Sequence, residues 1–190
     1  ALGLIIAFAA NILLARLYGE QVYGIYSLVS SWCILLAVLA LFGMDDTHLV
    51  QLPSWKLKGD YKKIRQQLGW SLGINGILIP VICSIFLFVL YFFRIPGISQ
   101  YRDYFKYGLF LVLMLTIFNN MVYFLRGMDK VIYGEIVDKV LRPTFFIILL
   151  PVVYFLGKDD LVIECILAAA AGLFCCILCL LIKIRKIIQK

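Results

Sequence analysis

Charge is scarce in this sequence: Lys, Arg, Asp and Glu together make up 15% of its 190 residues, against roughly a quarter in ordinary globular chains. Also missing are a glycine-rich phosphate loop, a zinc-ligand pair and a nucleophile elbow, so enzymatic chemistry is unsupported and no cofactor or metal is expected. Histidine occurs once, at His48. There is neither an initiator methionine nor the basic region that opens a signal peptide; the chain begins inside an apolar run, which predicts that its natural start lies upstream. The six cysteines (Cys33, Cys83, Cys165, Cys175, Cys176 and Cys179) all fall inside apolar runs, where disulfide scaffolds do not place them.

What is abundant is apolar surface. Hydrophobic residues make up 64% of the chain, and the mean hydropathy is +0.99. The apolar runs lie at about 2–18, 23–44, 71–93, 107–125, 140–156 and 161–182. Each approaches the roughly 20 residues that span a bilayer, and unbroken apolarity without strict alternation selects helices over barrel strands. The expected fold is therefore all-α: a polytopic membrane bundle of about six transmembrane helices filling residues 1–190, with no room for a separate soluble domain.

The connections alternate in character. Gly19–Val22 and Gly157–Asp160 read as tight turns, Asp45–Trp70 is long and basic, Arg94–Lys106 carries Pro96 and Gly97, and Arg126–Lys139 is polar and charged. Lys56, Lys58, Lys62, Lys63 and Arg65, then Arg126, Lys130, Lys139 and Arg142, then Lys183, Arg185, Lys186 and Lys190 fall on one side. Only Arg16, Arg94, Arg102, Lys106 and Lys158 fall on the other. Excess positive charge stays in the cytoplasm, so both termini are expected there. The same asymmetry accounts for the net charge of +7, and no nucleic-acid partner is expected. Trp55 and Trp70 mark the inner boundary, and Tyr101, Tyr104 and Tyr107 the outer one. Tyr61, Ile64 and Leu68 have helical spacing among basic residues, which fits either a helix lying on an anionic leaflet or a solvated loop helix.

Function in such a chain must be sought in the polar residues that hydrocarbon would otherwise exclude. Gly3, Ala7, Ala10, Asn11 and Ala15 form a stripe of small or polar residues on the first helix, suited to close packing or, through Asn11, to a polar cavity. Thr116, Asn119, Asn120 and Tyr123 share a face of the fourth, either lining a cavity or bonding between helices. Asn75, Gly76, Pro80 and Ser84 suggest a bend in the third. Glu135 with Lys139, and Asp138 with Arg142, are i,i+4 pairs at the start of the fifth helix, just before Pro143. Arg142 could offer its fork of donors to a phosphate or snorkel to headgroups, and Arg16 poses the same choice. His48, beside Asp45 and Asp46, reads as an interfacial polar residue. Ala168, Gly172, Cys175, Cys176 and Cys179 read as small-residue packing.

Several short segments carry a resemblance. Ala15-Arg16-Leu17-Tyr18-Gly19 with Tyr23-Gly24-Ile25-Tyr26, Gly43-Met44-Asp45, Lys58-Gly59-Asp60-Tyr61, Arg126-Gly127 and Arg142-Pro143 occur in an order that resembles the amino-terminal half of polysaccharide and O-antigen flippases. These belong to the multidrug, oligosaccharidyl-lipid and polysaccharide exporter superfamily. The resemblance implies the first six-helix lobe of a two-lobe transporter of 12 to 14 helices in the cell inner membrane, serving polysaccharide or lipopolysaccharide biosynthesis. It further implies a polyprenyl-diphosphate-linked oligosaccharide as cargo, with basic cavity residues holding the diphosphate and the lipid tail left among the membrane lipids. An arginine usual in that family shortly after Gly-Leu-Asp is missing, for only His48 and Gln51 stand there.

The leading expectation is thus a flippase for lipid-linked oligosaccharide working by alternating access, for which an ion gradient could supply the drive. Asn11, Arg16, Asn119, Asn120 and Arg142 are the candidate cavity residues. The alternatives are a cation-coupled multidrug exporter of the same superfamily, whose acidic candidates all sit at helix ends, and a non-transporting membrane scaffold.

Overall fold

The computed structural model describes residues 2–92, 101–156 and 160–188. Arg94, Pro96 and Gly97 of the third connection, Gly157 and Lys158 of the last, and Lys190 lie outside the described residues. The regular elements are all helices: α1 (Leu2–Tyr18), α2 (Glu20–Leu41), α3 (Met44–Leu57), α4 (Tyr61–Phe92), α5 (Arg102–Gly127), α6 (Val131–Ile136), α7 (Arg142–Leu156) and α8 (Leu161–Ile188), with a π-helical turn, Val137–Leu141, joining α6 to α7. The chain is an all-α membrane helical bundle. α2, α4, α5 and α8 are each long and apolar enough to cross a bilayer, and α1 is a shorter apolar helix of 17 residues.

Local chemistry sets the boundaries. Gly19, at φ 86°, is the whole turn between α1 and α2, so α2 begins three residues earlier than its hydropathy suggested. Its amide donates to Ala15 and its carbonyl accepts from Tyr23. α2 stops at Leu41 because Phe42 and Gly43 both turn left-handed, at φ 47° and 75°; only the glycine adopts that conformation without steric cost. After α3, Gly59 at φ 69° reverses the chain, and the Asp60 carboxylate accepts the Lys63 amide at 3.3 Å as an N-cap for α4.

The long basic connection is therefore almost entirely helical, which corrects the reading of Tyr61–Leu68. These residues are neither a separate surface helix nor a loop helix. They are the first turns of α4, held because Ile64 is fully buried and Leu68 packs on the core.

α5 forms the axis of the bundle and packs against α2, α3, α4, α6 and α8. Its tightest contacts occur where a side chain is missing. A Cβ on Gly108 would lie 2.9 Å from Val29 and 3.0 Å from the Cys33 sulfur, while one on Gly127 would overlap the His48 carbonyl oxygen of α3. On the far side, α1 leans on α7. Tyr18 donates its hydroxyl to the Leu150 carbonyl at 3.0 Å, and Gly3 meets the backbone of Lys139 so closely that a Cβ would stand 2.6 Å from its oxygen. Of the small-residue stripe of α1, Gly3 serves this close packing.

Gly127→Ala is expected to lower stability by about 1–3 kcal/mol, because backbone rather than a flexible side chain blocks the new methyl group. Gly134→Ala, whose nearest neighbour is the Arg126 side chain at 3.4 Å, should be neutral or stabilising by up to ~1 kcal/mol through helix propensity. Thermal unfolding of the two variants in one detergent compares them; equal losses would contradict the docking of α3 on α5.

Candidate functional site

Between the α1–α7 pair and the α2–α5–α8 wall lies a cavity of about 550 Å³. α1 contributes Gly3, Leu4, Ala7, Ala10 and Asn11, and α2 contributes Tyr26, Ser30 and Ile34. Leu111 and Leu115 come from α5, Ala169 and Leu173 from α8. The remaining wall is the junction of the π turn and α7: Asp138, Lys139, Arg142, Pro143 and Phe146. Tyr26 and Phe146 stack across it at 5.7 Å between ring centroids. One part of the wall is thus apolar and aromatic, and another carries two cations and one carboxylate.

Pro143 explains that junction. It has no amide hydrogen, and its ring crowds the carbonyl four residues back, so a regular helical ladder cannot pass through it. The backbone takes an i→i−5 step instead: the Arg142 amide donates to the Val137 carbonyl. This widened turn places Asp138, Lys139 and Arg142 together beside α1, with the Lys139 carbonyl against Gly3.

A charge network ties the junction to α5. Arg126, whose side chain is mostly buried, pairs through Nη2 with Glu135 at 2.8 Å and Asp138 at 3.4 Å, and its guanidinium lies 5.0 Å from the Tyr123 ring centre. Lys139 also pairs with Glu135, as the i,i+4 spacing predicted. The hydrogen bond from Lys139, assisted by the Arg126 and Lys139 charges, holds the Glu135 carboxyl below its ordinary pKa. Arg142 is held differently. Its approach to Asp138 is 3.7 Å, longer than a hydrogen bond, and its guanidinium lies 5.8 Å from the centre of the Phe118 ring. Three cations and two carboxylates leave this network with one excess positive charge, and Arg142 is its least engaged donor. An anion entering the cavity would find a planar fork of N–H groups there.

The five candidate residues do not converge on one site. Asn11 and Arg142 share the cavity. Arg16 is exposed near the other end of α1, and Asn119 is half-buried without lining the cavity. Asn120 is fully buried on another face of α5, where its side-chain oxygen meets His48 Nε2 and the Ser71 hydroxyl, both at 3.2 Å. Thr116 bonds only within its own helix, donating to the Val112 carbonyl at 2.9 Å. The face shared by Thr116, Asn119, Asn120 and Tyr123 is thus divided among different neighbours, because its four residues cover too wide an arc of α5 to look into one space.

His48 is corrected too. It is 0% exposed, packed against α4 and α5 rather than turned toward solvent or headgroups. Two residues that complete the site, Lys139 and Asp138, read in the sequence as partners in helical pairs and Lys139 also as an inner-side cation, and Arg126 reads as a basic loop residue within the Arg126-Gly127 segment; none of them reads as a cavity residue. The available signal was Pro143, which requires a break where those charges stand.

No protein-family model, curated protein or solved structure matches this chain.

If the cavity is wet, cysteines introduced there will react with a small water-soluble methanethiosulfonate once the native six are replaced. Asn11→Cys should be modified rapidly, while Thr116→Cys, behind the cavity wall, should react at least ~10-fold more slowly, since modification requires the thiolate and access to it. Equal rates at the two positions would show that the cavity does not admit water.

Proposed function

We propose that this chain is part of a membrane transporter that passes lipid-linked oligosaccharide units across the cytoplasmic membrane by alternating access. In this reading α1, α2, α4, α5, α7 and α8 cross the bilayer, with α7 prolonged by the π turn and α6. α3 and α6 lie at the inner boundary with the basic residues, and both termini face the cytoplasm. The bundle is the first of two lobes.

The observation that carries the reading is the meeting of Arg142, Lys139 and Asn11 in a cavity of about 550 Å³ inside a chain that is otherwise apolar. An ionised headgroup cannot cross hydrocarbon unaided, because desolvation costs far more than the membrane returns. A transporter must replace that hydration with fixed donors. Arg142, loosely paired and forked, suits a diphosphate and carries the one excess positive charge of the network; Asn11 and Tyr26 offer neutral hydrogen bonds to sugar hydroxyls. The volume falls within the roughly 300–1,000 Å³ typical of ligand pockets. It accommodates the headgroup and its first sugars while the lipid tail remains in the bilayer.

The multidrug alternative has less support. The acidic side chain on this cavity, Asp138, lies between Arg126 and Arg142, so its charge is already opposed and a cationic drug gains little from it.

Arg142→Ala should reduce glycan export by about 10- to 100-fold at normal expression, the loss of one or two charge-assisted hydrogen bonds. Arg16→Ala should leave export near wild type. Complementation of an export-deficient strain, with membrane levels of each variant quantified, measures both. Export indifferent to Arg142→Ala and Asn11→Leu, at normal membrane levels, would favour the scaffold.

A further inference from the structure

α5 carries polar side chains on more than one face, and the cavity uses only the one beside Leu111 and Leu115. Elsewhere Asn120 stands between His48 of α3 and Ser71 of α4. All three are 0% exposed, and Asn75, one turn beyond Ser71, is 1% exposed. They are brought together from positions far apart in sequence, and four of their polar atoms have no protein partner among the described residues: His48 Nδ1, Asn120 Nδ2 and both polar atoms of the Asn75 amide.

Asn120 Oδ1 lies 3.2 Å from the Ser71 hydroxyl and from His48 Nε2, and the same hydroxyl stands 3.0 Å from the Leu68 carbonyl. With the amide in this orientation Nε2 bears the hydrogen that faces Oδ1, and in the neutral ring Nδ1 keeps a bare lone pair. The Phe124 ring stands edge-on to the imidazole at 5.7 Å.

Among the described residues, no carboxylate or cation is in hydrogen-bonding contact with the ring. On α3, Asp45 acts only through its charge, and Lys56 is paired with Asp129 at 2.7 Å. On α5, Arg126 is directed to Glu135 and Asp138. On α4, Lys62, Lys63 and Arg65 are exposed, and Lys63 is paired with Asp60. α3 fits this closely only because Gly127 has no side chain.

We propose that His48, together with Ser71 and Asn120, forms a proton-binding site that latches α3: the neutral ring docks the helix on α5, and a proton on Nδ1 releases it. A proton there would create a buried donor without an acceptor and a buried charge without a counter-ion, both costly. Proton uptake and docking therefore oppose one another, and by linkage each weakens the other. Burial holds the His48 pKa below its ordinary value, and the Asn120 hydrogen bond and the Asp45 charge offset part of that. The undocked form accordingly binds more protons, so the docked form loses its advantage as pH falls below about 6.5, the value of an unburied histidine. The latch requires no transported molecule and acts whether or not the cavity binds an anion.

Because His48 is the sole histidine, the whole chain in lipid nanodiscs, labelled with 15N-histidine, gives one imidazole signal to titrate. Amide hydrogen exchange across Met44–Leu57, corrected for intrinsic rate, reports docking between pH 7.5 and 5. We expect the ring to titrate below 6.5 and α3 to lose protection over the same pH range. Asn120→Asp places a carboxylate beside the ring and should raise its titration by about 1–3 units while keeping α3 protected to lower pH. Gly127→Ala, which undocks α3 without touching the imidazole, should return the titration toward ~6.5. His48→Asn should leave α3 protection indifferent to pH. The latch is overturned if the wild-type ring titrates near 6.5, or stays neutral to pH 5, with α3 protected throughout, or if His48→Asn keeps the pH-dependent loss.

Discussion

Hydrocarbon offers no hydrogen bonds, and the polar atoms within the membrane-crossing helices are placed under that restriction. The backbone answers it by becoming helical almost everywhere it is described. The side chains answer it by retreating to a few shared locations around α5. Arg126 gathers Glu135 and Asp138 at one end of α5, Asn120 gathers His48 and Ser71 on one face, and Leu111 and Leu115 close one wall of the cavity. α5 can take this part because two of its glycines, Gly108 and Gly127, let neighbouring helices approach to backbone distance. Where apolar burial drives no association between helices, such close packing and buried polar contacts must hold them together.

The cavity exists because of an imperfection in a helix. Pro143 interrupts the ladder, the π turn absorbs the interruption, and three ionisable residues are thereby presented to α1 rather than wound around a regular cylinder. Gly3 lets α1 rest on the same turn. The resulting electrostatics are uneven. Arg126 and Lys139 are committed to Glu135, whereas Arg142 keeps most of its donors. That difference separates a structural network from a group able to bind an anion, and it makes Arg142 the residue on which the transport proposal turns. The second polar locus, around His48, is built of fully buried neutral partners, Ser71 and Asn120. Its orphaned donors and acceptors suit it to sensing a proton rather than holding a solute.

Much of the architecture was legible before any coordinates. Runs of apolarity located α1, α2, α5, α7 and α8 to within about six residues at each end, while the basic connection proved to be α3 and the first turns of α4; four of the helices are long and apolar enough to cross a bilayer. Helical spacing found the Glu135–Lys139 and Asp138–Arg142 pairs, and in the stripe of α1 Gly3 marks a packing contact while Ala7, Ala10 and Asn11 line the cavity. The site was only half legible. Asn11 and Arg142 were recognised and do share the cavity, but Arg16 and Asn119 stand outside it, and Asn120 joins a different cluster. Spacing along one helix says which residues share its face; it does not say which neighbour that face meets. His48 shows the same limit, since its acidic neighbours in sequence suggested an interface while its neighbours in space are Asn120, Phe124 and Gly127.

The amino-acid order by itself determined that this is a helical membrane chain. Hydropathy, charge and the turn chemistry of Gly19, Gly43 and Gly59 act within a few residues of one another, and no distant partner is needed to read them. Only the tertiary structure decided which polar groups look into the cavity, which are sealed behind α5, and which of several arginines keeps its donors unspent. Those outcomes depend on contacts between residues such as His48 and Asn120, or Gly3 and Lys139, which lie tens to more than a hundred positions apart, and helical periodicity carries no information over such separations.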